Sequence, residues 1–217
     1  MVEYYFLSMI TDFRLKVFET VARRLNFTRA AEELFITQPA VTRHIKELER
    51  LLDARLFKRE GRGIALTAEG VRLLAHSQRE DGMLELCAPA RIPITIPSFS
   101  MAFIMAVEEY CRYSGDMEFG REMLPVAERI LDALRLRVHD GFAWRFKGEQ
   151  YWNFYEWQPL LEGYAPCPED SAEAGLQLFG ILALQRMAAL RKMAGSAPRE
   201  CESEMLSELT GGLEEFW

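Results

Sequence analysis

The sequence predicts a mainly α-helical protein: a small helical unit with a β-hairpin at its edge, followed by an array of α-helical hairpins. Three observations lead there. Apolar residues recur at the three-to-four spacing of amphipathic helices through most of the chain. Only "RLFKR" and "IALT", set around the glycines of "EGRG", read as paired strands. The charge is also split. Residues 9–79 hold 14 Lys/Arg against 9 Asp/Glu, and residues 80–217 hold 12 against 23, within a net charge of -7. A basic N-terminal third on an acidic remainder is the pattern of a nucleic-acid module joined to something else.

The 217 residues suffice for one domain or two small ones. A hydrophobic content of 49% with 27% charged residues suits a folded chain rather than a disordered one. No apolar run reaches the roughly 18 residues of a membrane span, so no membrane partner is expected. The start, "MVEYYFLSMI", lacks the basic flank and cleavage site of a signal peptide, so a cytoplasmic location is expected. Cys87, Cys111, Cys167 and Cys201 form no CxxC pair and read as reduced thiols. With His44, His76 and His139 equally scattered, no metal site and no cofactor is expected.

The elements of the basic third follow in order. Phe13, Val17, Val21 and Ala22 share one face of a first helix, with Leu25 close to it. Thr28 is expected to cap a second helix, "TRAAEEL", whose Ala30 and Ala31 allow a close crossing. Thr37 is expected to cap a third helix from Gln38 to about Leu52, with Pro39 near its first position, where a missing N–H is tolerated. Val41, Ile45, Leu48 and Leu52 should face inward, and Gln38, Thr42, Arg43, Lys46 and Arg50 outward. Such an outer face suits the major groove: Arg pairs with guanine, Gln with adenine, and Thr meets a base edge or methyl. The basic hairpin that follows, with Arg59 and Arg62 at its tip, reads as the wing of a winged helix-turn-helix.

With "FTRAAEEL", "TQPAVTRHIKELE", "LFKR" and "LTAEG" in this order, residues of about 9–75 resemble the N-terminal domain of LysR-type transcriptional regulators, which are bacterial. The resemblance implies double-stranded DNA as partner and transcription regulation as function. It implies that Gln38, Pro39, Thr42 and Arg43 approach bases. Thr28, Thr37 and Lys46 would touch phosphates, and Arg59 and Arg62 would reach the neighbouring minor groove or backbone. Arg50 and Arg55 read as solvated. Residues 1–8 lie outside the resemblance and are read as an N-terminal extension, leaving 9–67 as the DNA-binding domain.

Beyond "LTAEG" the pattern departs from that family. Its long dimerising helix has room here only from Ala68 to about Arg79, because Asp81-Gly82 breaks it. A homodimer is therefore left open. Residues 68–80 are read as a linker helix containing a seam, and the family's effector domain of alternating strands and helices is not expected. Instead "SFSMAFIMAVEEYCRYSGD" shows Phe99, Phe103, Val107, Tyr110 and Cys111 on one helical face, with Ser98 as cap and Gly115 as stop. In the next helix Phe119, Met123, Val126, Ala127, Ile130 and Leu134 form an inner stripe, and Pro125 can bend it without ending it. A second pair of helices is expected in 171–195 and 198–217.

The segments "DGMLELCAPARIPITIPSFS", "EEYCRYSGDMEFGREMLPVAERILDAL" and "WNFYEW" resemble part of the six-hairpin (α/α)6-barrel glycosidases, similar to α-L-rhamnosidases, over about residues 70–217. The fold class is thus a winged helix-turn-helix followed by an incomplete α/α barrel over 81–217, a chimera. Glycoside hydrolysis generally takes two carboxyl groups about 5–9.5 Å apart. Glu156 is a secondary candidate for one of them, with Trp152, Tyr155 and Trp157 as secondary candidates for stacking on a sugar. Glu108, Glu109 and Asp116 read as helix-surface and turn residues. No catalytic residue is assigned, carbohydrate is not expected as a partner, and the chain is not expected to be an enzyme. The alternatives are a truncated, inactive glycosidase-like protein and a fusion with no selected function.

Overall fold

The computed structural model describes residues 13–60, 63–86, 94–155, 161, 163, 168 and 170–213. The chain divides into two units, residues 1–77 with 85–93, and residues 78–84 with 94–217.

In the first unit, α1 (Phe13–Arg24), α2 (Phe27–Glu33) and α3 (Gln38–Leu52) pack pairwise against one another. Val17, Phe18 and Val21 of α1 meet Ala30 and Ala31 of α2 and Val41, Ile45 and Leu48 of α3 in the core. The two alanines keep α2 slim where it crosses its neighbours. Phe18, outside the face expected for α1, is fully buried. Phe13 and Leu25 are 40% and 42% exposed, and Leu52 is 45% exposed rather than inward. These three sit at helix ends, beyond the crossing points.

The cap expected of Thr28 belongs to Asn26. Its side-chain oxygen accepts the N–H of Thr28 at 2.9 Å and of Arg29 at 3.0 Å, so the cap lies two residues earlier and Thr28 lies exposed in the first turn of α2. Leu25 turns the chain at φ 44°, which sets Asn26 in the extended conformation an N-cap needs. Thr37 caps α3 as expected, accepting from Ala40 N–H at 3.4 Å, with Pro39 in the first turn. A partly buried ionic cluster ties α1 to α2, with Arg23 bridging Glu19 and Glu33 and Arg24 adding a second bond to Glu33.

β1 (Phe57–Glu60) and β2 (Gly63–Leu66) form the antiparallel hairpin, with Phe57 opposite Leu66 and Arg59 opposite Ile64. Thr67 then caps α4 (Ala68–Ala75), accepting from Gly70 N–H at 3.1 Å. This helix stops about a turn short of the expected Arg79. His76 N–H closes on the Arg72 carbonyl, and both the N–H and the hydroxyl of Ser77 go to Leu74. Gln78 already belongs to the second unit, where its side chain donates to the Gly82 and Val126 carbonyls at 2.8 Å each.

The second unit is built from α5 (Pro97–Ser114), α6 (Met117–Arg135), α7 (Ala174–Ala194) and α8 (Glu200–Leu213). α7 packs on all three others, and α5 packs on α6. Gly115 ends α5 in the left-handed conformation (φ 75°), and Asp116 caps α6 through Phe119 N–H at 2.9 Å. Pro125 is accommodated on the exposed side of an uninterrupted α6. Two expectations are corrected. Ser98 does not cap α5; Ile96 holds that position, and the buried Ser98 hydroxyl donates to the Phe154 carbonyl at 2.7 Å. Glu108 is not a surface residue but a buried carboxylate, paired with Arg112 and Arg186 at 3.2 Å each.

A two-residue ladder of β3 (Val138–His139) and β4 (Phe142–Ala143) is clasped to the helices by Gln177. Its buried amide accepts from Ala143 N–H and donates to the Gly141 and Leu209 carbonyls. No described helix is long and apolar enough to cross a membrane, and the described residues contain no cluster suited to a metal ion.

Candidate nucleic-acid interface

The N-terminal turns of α3 carry the candidate site. An amphipathic helix with Val41, Ile45 and Leu48 in the core must present its opposite face to solvent. Gln38, Pro39, Arg43, Lys46 and Arg50 are exposed there, and Thr42 is half-buried. Pro39, Thr42, Arg43, Lys46, Glu47 and Arg50 line one shallow depression. The Gln38 amide donates to the Thr42 hydroxyl at 3.0 Å, and that hydroxyl donates to the Gln38 carbonyl at 3.1 Å. These two bonds order the Gln38 and Thr42 side chains against each other.

The acids of α3 are partly removed from this face. Glu49 is buried and accepts the N–H of Leu56 at 2.9 Å, tying the end of α3 to the start of the hairpin. Its other oxygen takes the largely exposed Arg55 at 3.3 Å. The N-terminal end of the α3 dipole adds a partial positive charge beside Thr37 and Gln38, where phosphate is favoured.

Thr28 is exposed in the first turn of α2, and Thr37, Gln38, Pro39, Arg43 and Lys46 are exposed on α3 or at its cap. Arg59 is exposed on β1, and Arg62 lies outside the described residues. In the ionic cluster, burial pushes the Glu19 carboxyl up, against the pull of Arg23. Burial also raises Glu33, but hydrogen bonds from Arg23 and Arg24 outweigh it and hold its carboxyl below the usual range.

One residue of this region was not singled out from the sequence. Phe35, in the turn between α2 and α3, is 96% exposed with φ 53°. An aromatic residue between two helices, in the short turn "FIT", was the available signal.

Of the secondary candidates in the second unit, Glu156 and Trp157 lie outside the described residues. Trp152 packs tilted against Phe154, with ring centroids 5.0 Å apart and planes 52° from parallel. Tyr155 lies over Gly175, stacks on Phe179 and donates its hydroxyl to Glu173, whose carboxyl is pushed up by burial.

Residues 13–71 match the family described as "Bacterial regulatory helix-turn-helix protein, lysR family". Among curated relatives, the glycine cleavage system transcriptional activator of Escherichia coli (strain K12) is 57% identical over 56 residues, 26% of this chain and 18% of that protein. The HTH-type transcriptional regulator CfxR of Cupriavidus necator is 47% identical over 74 residues, 34% of this chain and 23% of that protein. The chain thus spans about a fifth of the length of these relatives. Among solved structures, the GH78 family rhamnosidase of Bacillus sp. GL1 aligns with 68% of this chain and 14% of its own, at 21% identity and a TM-score of 0.56. That likeness shows a shared helical fold.

Proposed function

We propose that the LysR-type helix-turn-helix of residues 13–71 binds double-stranded DNA sequence-specifically and serves transcription regulation, with α3 in the major groove. The observation that carries this is the outer face of α3, where Gln38, Thr42, Arg43 and Lys46 stand together at the helix N-terminal half. Gln38, Pro39, Thr42 and Arg43 meet base edges; Thr28, Thr37 and Lys46 meet phosphates; Arg59 and Arg62 meet the flanking backbone or minor groove. This reading gives the second unit, built of helical hairpins, no catalytic role.

The Arg43→Ala variant tests the reading. If Arg43 pairs bidentately with guanine, its loss costs about 1–3 kcal/mol at one base position and relaxes the preference there. An unchanged sequence preference removes that role. The shared fold with a rhamnosidase favours a second reading, a glycosidase-like protein. Turnover of an aryl rhamnoside that disappears in Glu156→Gln would support it.

A further inference from the structure

Phe35 occupies an unusual place in a common motif. After α2, Ile36 N–H bonds the Ala31 carbonyl at 3.0 Å, and Phe35 N–H bonds the Glu32 carbonyl at 3.2 Å. These are the two bonds of a Schellman motif, with Phe35 at the left-handed position that glycine usually fills. A bulky side chain is strained there, because its β-carbon crowds its own backbone. The ring recovers nothing from packing, since Phe35 is 96% exposed. Glycine would relieve the strain and remove an apolar group from water. The sequence therefore places a group here that folding of the chain does not use, and strain of this kind concentrates at functional positions.

What the ring can reach follows from its place in the chain. Thr37, the cap of α3, comes two residues later and Gln38 three. Three residues span at most about 10 Å, so the Phe35 backbone lies within that distance of the Gln38 backbone, and both side chains can reach the same short stretch of a groove. The apolar feature displayed in the major groove is the C5-methyl of thymine, which Phe can contact.

We propose that Phe35 is a specificity-determining residue whose ring packs against the C5-methyl group of a thymine beside the bases met by the N-terminus of α3. This rests on the DNA-binding reading above. Removing one methyl group from water against the ring accounts for about fourfold in affinity.

The test uses the full chain, the Phe35→Gly variant, and duplexes selected by the wild-type chain from a random pool. Thymines in the selected site are replaced by deoxyuridine one at a time. The wild type should bind about fourfold more weakly when one particular thymine loses its methyl. Phe35→Gly should bind the thymine duplex about fourfold more weakly and lose the discrimination at that position, with thermal stability unchanged or raised. A variant that binds like the wild type, or one that binds more weakly yet still discriminates at every thymine, overturns the assignment alone. A wild-type chain that binds no duplex overturns the DNA-binding reading with it.

Discussion

Gly70 lies so close to Leu56 that a β-carbon on it would stand 2.5 Å from the Leu56 carbonyl oxygen and 2.8 Å from a methyl of Leu66. The same carbonyl accepts Thr67 N–H at 3.0 Å. The threonine and the glycine of "LTAEG" thus work as a pair: one caps α4 and bonds to the chain before the hairpin, and the other lets the first turn of the helix rest on that chain. Gly70→Ala should destabilise the first unit by about 1–3 kcal/mol, the range for forcing extra atoms into a packed site. Alanine's better helix propensity, worth about 1 kcal/mol, works against this. Amide exchange of α3 and the hairpin measures it; slower exchange in the variant would contradict the close approach.

The caps separate Asn26 from Thr28. Asn26→Ala removes the acceptor of two N–H groups and should cost about 1 kcal/mol. Thr37→Ala should cost a similar amount through α3. Thr28→Ala, at an exposed site in the first turn, should change stability by less than about 0.5 kcal/mol while weakening DNA binding. Denaturant midpoints of the three variants check the order, and a destabilised Thr28→Ala would return the cap to Thr28.

The helix order, the position of α3 and the fold of the second unit were legible because long apolar periodicities and the glycine and proline punctuation agreed. Gly115 and Thr37 acted as read. Local polar competition was not legible: Asn26 and Thr28 are both good caps, and the turn at Leu25 decides between them. Glu108 and Ser98 were misplaced for a related reason. Polar residues read as surface or cap until a partner from a distant part of the chain, Arg186 or the Phe154 carbonyl, is known. Phe35 is not legible in the sequence, because a turn residue with no periodicity gives no sign of which way it points.

Arg191 should be the most sensitive charged residue of the second unit. Its nearly fully buried guanidinium bonds Glu202 at 2.7 and 2.8 Å and Glu128 at 2.7 Å, joining α6, α7 and α8. Arg191→Met leaves the buried Glu202 carboxylate with only the longer, 3.8 Å contact to Arg199 and should cost about 3–5 kcal/mol. Unfolding followed by probes in the second unit measures this. A loss under about 1 kcal/mol would show that the cluster is replaceable.

Cys111 and Cys201 should differ in reactivity. Burial, reinforced by Asp116 and Glu108, pushes the Cys111 thiol up to about 11, whereas Cys201 is only half-buried. In native protein near pH 8, iodoacetamide should modify Cys201 well before Cys111. Because the folded state holds the Cys111 proton beyond the pH at which an unfolded thiol releases it, its contribution to stability is full below the ordinary thiol range. It is lost as pH rises toward about 11. Equal modification rates at pH 8, followed by peptide mass, would contradict the burial of Cys111.

The most direct test of DNA binding is a salt titration of the full chain against a random duplex pool and a selected duplex. Each phosphate contact from Lys or Arg releases counterions, so affinity should fall linearly with salt on logarithmic axes. Lys46→Ala should reduce that slope by about one contact on both duplexes, and Arg43→Ala should narrow the gap between them. Binding to neither duplex at low salt, or binding whose affinity ignores salt, would contradict the account.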